Sequence, residues 1–274
     1  MKVLSIDIGI KNLAFCLFEK NQDSQNFKVI KWDVVNISEQ ETHFCCFVDK
    51  SEACLKPAKF KKDDACFCLK HSKKQQLQIP TTEQKASFIN KQKVQKLFEI
   101  ADNHNIKYDS KIKKSDLIKL INDHVNNNYF ETIESKNAAD VDLFNIGINI
   151  KNKFNSLFEA EGEIDYVIIE NQISPIATRM KTIQGMIVQY FIMSKLLVGN
   201  IQFISASNKL KDCDAKEKKT YGDRKKLGIA KCLGILSEDF RFSEHLTFFN
   251  SHKKRDDLSD AFLQGIWFLN SKNF

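Results

Sequence analysis

Apolar positions open the chain in three runs of strand length. Val3 to Ile8, Ala14 to Glu19 and Lys28 to Val35 are rich in β-branched and aromatic residues; a Gly9-Ile10-Lys11-Asn12 turn and a polar stretch from Asn21 to Asn26 separate them. That pattern predicts an antiparallel meander. Periodicity breaks over residues 43 to 75, where Cys, His and Lys mix without a regular apolar face. From Val94 the period turns helical, with Val94, Leu97, Phe98 and Ala101 on one stripe, and Leu117, Ile118, Leu120 and Ile121 on a second after Ser115 as N-cap. A third helix is expected over residues 138 to 160, turning Phe144, Ile148, Phe154, Leu157 and Phe158 to the core, followed by a buried strand from Tyr166 to Glu170. Met186 to Leu197 then reads as a core helix, Asn200 to Ser205 as a strand, and Lys225 to Leu236 and Asp256 to Leu269 as helices. The order is β-β-β, insertion, α-β-α-β-α-α, which implies an α/β fold with a mixed sheet between helices.

Composition narrows the picture. With 274 residues and 42% hydrophobic positions, the chain can bury one substantial core plus a small insertion, which excludes wholesale disorder. A formal charge of +7 and a pI near 8.8 favour a polyanionic partner. Neither a 20-residue apolar span nor a signal peptide is visible, so no membrane association is expected and the location is intracellular. Five of the eight cysteines fall between residues 45 and 68; in a reducing compartment such clustering reads as metal ligation rather than disulfides.

Candidate chemistry lies in three acidic motifs: Ser5-Ile6-Asp7-Ile8-Gly9, Ile169-Glu170-Asn171-Gln172, and Asp256-Asp257-Leu258-Ser259-Asp260-Ala261. Asp7 and Glu170 each end an apolar run, where a carboxylate is costly unless a cation or donor meets it. Asp257 and Asp260 are neighbours on a helix surface, and Asp256 rivals Asp257 because it also lies beside Asp260. Four carboxylates from three elements could hold two Mg²⁺ or Mn²⁺ ions roughly 3.5–4 Å apart for phosphodiester hydrolysis.

These motifs, in this order, resemble the RuvC-like branch of the ribonuclease H-like superfamily, closest to the poxvirus and mitochondrial Holliday-junction resolvases. The resemblance covers residues 1 to 40 and about 138 to 274. It implies a ribonuclease H-like mixed five-stranded sheet flanked by helices, metal ligation by Asp7, Glu170, Asp257 and Asp260, and a lysine after the fifth strand beside the scissile phosphate. Lys209 is the nearest match, with Lys211, Lys225 and Lys226 as rivals. It further implies symmetrical cleavage of four-way or branched DNA by a homodimer built on the helix carrying Thr182, Gln184, Gly185, Met186, Gln189, Tyr190 and Met193. DNA contacts are expected from Lys11, Arg179, Lys181, Lys225, Lys226, Lys254 and Arg255, and from a basic stretch between Lys209 and Lys231 with nine Lys or Arg against four Asp or Glu. Two other readings differ in kind: a nuclease of RNA–DNA hybrids or flaps, and a non-catalytic branched-DNA scaffold.

The insertion divides in two by the same reading. Residues 43 to 90 carry Cys46, Cys54, Cys68 and His71 as the preferred structural zinc set, with Cys45 and Cys66 as alternates. Residues 91 to 130 resemble a SAP module, a small helical DNA-binding unit. The nuclease part is expected over residues 1 to 42 and 131 to 274. The Lys- and Phe-rich, Pro-poor composition fits a large cytoplasmic DNA virus and hence a viral factory; otherwise the location is mitochondrial or nuclear.

Overall fold

The expected meander forms as β1 (Lys2–Asp7), β2 (Leu13–Lys20) and β3 (Phe27–Val35), each paired antiparallel with the next. These strands belong to a computed structural model that describes residues 1–20, 26–134, 137–172, 178–210 and 220–272. The chain divides into two units, Met1–Glu39 with Lys136–Phe274, and Gln40–Ser135.

In the first unit, α1 (Leu143–Phe158), β4 (Ile164–Glu170), α2 (Thr178–Met193), β5 (Leu197–Ile204), α3 (Tyr221–Glu238), α4 (Leu246–Ser251) and α5 (Arg255–Ser271) complete the fold. The sheet order is β5-β4-β1-β2-β3, with β4 parallel to both β1 and β5. This is the mixed five-stranded sheet flanked by helices that the sequence predicts.

Strand alternation divides the core between the two faces of the sheet. Leu4, Ile6, Leu13, Phe15, Leu17, Val167 and Ile169 join Ile146, Ile150, Phe154 and Phe158 of α1 and Ile183, Ile187 and Phe191 of α2. Val3, Ala14, Cys16, Phe18 and Ile168 join Cys232 and Leu236 of α3 and Leu258, Ala261, Phe262 and Leu269 of α5. Trp32 on β3 stacks on Phe249 and donates from Nε1 to the Leu258 carbonyl at 3.1 Å, pinning the start of α5 to the sheet. Gly265 allows α5 to come close, since a Cβ there would lie 2.1 Å from the Phe18 ring.

Two of the core positions expected in α1 are wrong. Phe144 and Ile148 are 75% and 41% exposed, while Ile146 and Ile150 are buried. The sequence offers two apolar stripes two residues apart, and at 3.6 residues per turn such an offset is about 200°, the opposite face of the helix. Packing against α2 selected the stripe that continues into Phe154 and Phe158.

The second unit holds a hairpin of Val48–Asp49 with Glu52–Ala53, and a three-stranded sheet in the order Ala65–Phe67, Phe60–Lys62, Glu131–Thr132. Its helices Val94–Asn103 and Lys114–Asn128 close on Leu97, Ile100, Ala101, Leu117 and Ile121. Lys113, not Ser115, is the N-cap; Ser115 lies inside the helix and donates to Asp116. Glu131 and Thr132, expected to reopen the nuclease part, pair with Lys61 and Phe60 instead, and the Ile133 N–H donates to the Lys59 carbonyl.

Candidate active site and metal centre

Strand parity aims the first two carboxylates. Val3, Ser5 and Asp7 share a face of β1, and Tyr166, Ile168 and Glu170 share a face of β4; both sets include residues in the core that α5 covers. The parallel register sets Ile6 opposite Ile169, which brings Asp7 and Glu170 side by side at adjacent strand ends. A Cβ on Gly9 would lie 2.3 Å from the Asn12 carbonyl oxygen, so only glycine lets the chain turn this tightly after Asp7.

Lys209, on the 3-10 turn Ala206–Leu210 after β5, completes the cluster. Its Nζ lies 3.0 Å from Asp7 Oδ1 and 3.5 Å from Asp260 Oδ2, and it also donates to Glu170 Oε2. Only 5% of its side chain is exposed. Lys231 on α3 donates to the Lys209 carbonyl at 3.3 Å and holds the turn. Burial alone would lower the Lys209 ammonium, but Asp7, Asp260 and Glu170 together raise it above the usual lysine range, so it is charged.

The carboxyls respond unequally. Burial, with a hydrogen bond to Asp7, pushes Glu170 up to about 7. Burial also pushes Asp260 up to about 6 against the pull of Lys209. Asp7 goes the other way, because Lys209 and the hydrogen bonds from Glu170 and Lys209 outweigh its burial. Asp257 is raised by burial and by Asp256 and Asp7, and its Oδ2 is buried without a hydrogen-bond partner. An orphaned buried carboxylate oxygen beside three carboxyls that share one ammonium is an environment short of positive charge, and it fits a hard cation.

Asp256 lies differently. Lys225 pairs with it while resting over the Tyr221 ring at 5.1 Å, and Lys225 holds its carboxyl low despite partial burial. Asp257 is therefore the neighbour left without a partner at Oδ2, and Lys225 is engaged with Asp256 rather than with the central cluster.

The expected DNA-contacting residues separate in the same way. Lys11, Lys181, Lys226, Lys254 and Arg255 are exposed. With the Asn12 amide oriented to satisfy both its groups, its oxygen accepts from Lys254 Nζ at 3.2 Å, which joins the turn after Asp7 to the start of α5. Arg179 is turned inward, donating from Nη2 to the Val141 carbonyl, and its Nε is buried. Lys211 and the rest of residues 211–219 within the expected basic stretch lie outside the described residues.

In the second unit the clustered ligands are Cys45, Cys54, Cys68 and His71, with ligand atoms all within 4.8 Å of one another. Cys46, the residue preferred from sequence, is excluded by strand geometry. The extended segment His43–Cys45 pairs with Lys56–Ala58, so neighbouring side chains point to opposite sides: Cys45 is buried, and Phe44 and Cys46 are exposed. Cys54 Sγ to Cys68 Sγ is 4.0 Å and Cys45 Sγ to His71 Nδ1 is 3.5 Å. Zn–S bonds near 2.3 Å in a tetrahedron set ligand atoms about 3.8 Å apart, so the cluster is compatible with zinc. Burial raises Cys68, but backbone N–H groups of His71 and Lys70 and hydrogen bonds from Cys45 and Cys54 bring its thiol below the usual value, toward the thiolate a metal needs.

Sequence reasoning missed Gln264. It lies one turn beyond Asp260 on α5, fully buried, and a polar residue amid Ala261, Phe262 and Leu269 was its only signal.

Sheet order and helix placement define an α/β domain with a mixed five-stranded sheet, at one end of which Asp7, Glu170 and Asp260 meet Lys209. The chain belongs to the family of the mitochondrial resolvase Ydc2 and the RNA-splicing protein MRS1, whose model matches residues 3–172. It is 24% identical over 315 residues to the uncharacterised protein L451 of Acanthamoeba polyphaga mimivirus, covering 98% of this chain and 74% of that one. Among solved structures it is similar to the fowlpox virus resolvase in complex with Holliday-junction DNA, at 14% identity and a TM-score of 0.43 over 99% of both chains. It is also similar to the yeast mitochondrial Holliday-junction resolvase Ydc2, at 14% identity and a TM-score of 0.44 over 99% of this chain and 80% of that one. No helix of the described residues is long and apolar enough to cross a membrane.

Proposed function

We propose that this protein is a Holliday-junction resolvase: a divalent-metal-dependent endonuclease that cuts four-way or branched DNA symmetrically. The observation that carries the reading is the meeting of Asp7, Glu170 and Asp260 at Lys209, beside an Asp257 oxygen buried without a partner. Two Mg²⁺ or Mn²⁺ ions held by these four carboxylates would supply an activated hydroxide and stabilise the leaving oxygen. Asp7, in contact with Lys209 and Glu170, would be a central ligand of the set. Lys209 draws the carboxylates together, and its ammonium would be placed to meet the phosphate beside them. Lys11, Lys181, Lys226, Lys254 and Arg255 bind the DNA backbone, so binding weakens steeply with salt.

Cutting two opposed strands calls for two active sites, hence a homodimer. Gly185, Gln189 and Met193 fall on one stripe of α2; Gly185 and Gln189 are exposed, Met193 is 77% exposed, and nothing lies within 4 Å of a Cβ on Gly185. Zinc on Cys45, Cys54, Cys68 and His71 would hold together the Cys- and His-bearing segment of the second unit, whose short strands give it little core of its own, whereas the helices of that unit close on a separate apolar cluster. The relationship to L451 fits a giant-virus protein acting inside the infected cell.

The test uses purified protein on a synthetic mobile four-way junction, with and without Mg²⁺. Paired nicks by the wild type and junction binding without cleavage by Asp7→Asn are expected. Equal cleavage by the variant overturns the metal mechanism, and preferential cleavage of an RNA–DNA hybrid of equal backbone length overturns the substrate.

A further inference from the structure

The strands that carry Asp7 and Glu170 and the helix that carries Asp257 and Asp260 are separate elements, so the site exists only if α5 lies at one depth and one rotation on the sheet. Apolar packing fixes such a placement loosely, because it is non-directional and tolerant of small slides. Gln264 supplies direction. It follows Asp257 and Asp260 along one face of α5, at spacings of seven and four residues. Its Nε2 approaches Ser5 Oγ at 3.2 Å and donates to the Ile6 carbonyl at 3.2 Å and the Ile168 carbonyl at 3.4 Å. Ile6 immediately precedes Asp7, and Ile168 lies two residues before Glu170, so one amide touches both acid-bearing strands. The neighbouring Gly265, with no Cβ to meet the Phe18 ring, lets the helix come near enough for that reach.

This amide is a poor choice for stability alone. Gln264 is 0% exposed, and its Oε1 is buried without a partner. Reversing the amide would set that oxygen against two carbonyls, so the orientation is fixed. The strands it reaches are each paired on both sides within the sheet. A methionine of similar length would remove the orphaned oxygen and fill the same space with apolar contacts.

We infer that Gln264 is a positioning residue of the metal site, sacrificing stability to lock α5 in register with β1 and β4 so that all four carboxylates reach the same cations. Residues one step behind metal ligands typically change metal affinity or activity 10–100-fold when lost. The inference rests on the carboxylates binding divalent metal, and its test separates the two claims.

Wild type, Asp7→Asn, Gln264→Met and Gln264→Leu are compared as full chains by thermal melting in chelator and by titration calorimetry with Mn²⁺. Melting of both Gln264 variants at or above the wild-type temperature, together with Mn²⁺ binding weaker by about tenfold or more, is the expected result. Wild-type Mn²⁺ affinity in either variant overturns the positioning role, as does a fall in melting temperature of both variants beyond about 5 °C, which would mark the amide as a fold-holding contact. Absence of Mn²⁺ binding in wild type and Asp7→Asn alike overturns the metal-site reading itself, and this inference with it.

Discussion

Lys209→Met is the most informative single change, because it removes the cation around which three carboxyls are gathered. Asp7 lies 3.0 Å from the ammonium with 14% of its side chain exposed. At an effective dielectric near 20, that contact alone is about 5 kcal/mol of attraction. Asp260, with 39% of its side chain exposed, adds less because water screens it. The desolvation cost of burying the ammonium is recovered when methionine replaces it, but the acids are left uncompensated. The net loss is about 3–5 kcal/mol, or roughly 10 °C in melting temperature for a domain of this size.

The pH dependence follows from the carboxyls. Glu170 and Asp260 are pushed up to about 7 and about 6 in the folded chain, above their ordinary values of 4.5 and 3.8. Between those limits the folded state binds more protons than the unfolded one, so the stability these two groups provide is present at low pH and lost as pH rises through about 6–7. Lys209→Met should therefore fall further below wild type at pH 8 than at pH 5, where Asp7, held low and ionised beside the ammonium, already loses its partner in the variant, both in chelator. Mg²⁺ at 100 times its dissociation constant should restore about 2.7 kcal/mol at pH 8. A variant that melts within about 2 °C of wild type at pH 8 in chelator, or that gains nothing from Mg²⁺, would refute the argument.

Other changes test separate parts of the structure. Asp257→Asn should abolish metal-dependent cleavage, whereas Asp256→Asn, which loses only the pair with Lys225, should keep activity within about tenfold; gel assays on a four-way junction decide between them. Cys45→Ser should release the zinc measured by elemental analysis and unfold the segment around the cluster, while Cys46→Ser should retain one equivalent, because Cys45 faces the cluster and Cys46 does not. Gly265→Ala should cost about 1–3 kcal/mol in urea melts, since its methyl would meet the Phe18 ring at 2.1 Å.

Much of this was legible along the chain because it is local. Period-two and period-3.6 patterns placed most strands of the sheet and most helices beside it, although the helix expected from Met186 to Leu197 spans Thr178–Met193 and Leu197 opens β5; the acidic motifs singled out Asp7, Glu170, Asp257 and Asp260 because side-chain direction follows from backbone repeat and a buried acid at a strand end is conspicuous. Other features depend on what lies across the fold. Whether Phe144 or Ile146 faces inward depended on α2, since the α1 sequence carries two competing stripes. Cys45 rather than Cys46 was chosen by pairing with Lys56–Ala58, which sets the parity of the strand. Arg179 turned inward to the Val141 carbonyl because an acceptor 38 residues away was waiting for it. The place of Lys209 among the acids, the capture of Asp256 by Lys225 and the reach of Gln264 to two strands all join residues far apart in sequence. A chain encodes its local repeats at each position, but the partners of a buried charge are fixed only when tertiary packing sets which side chains meet.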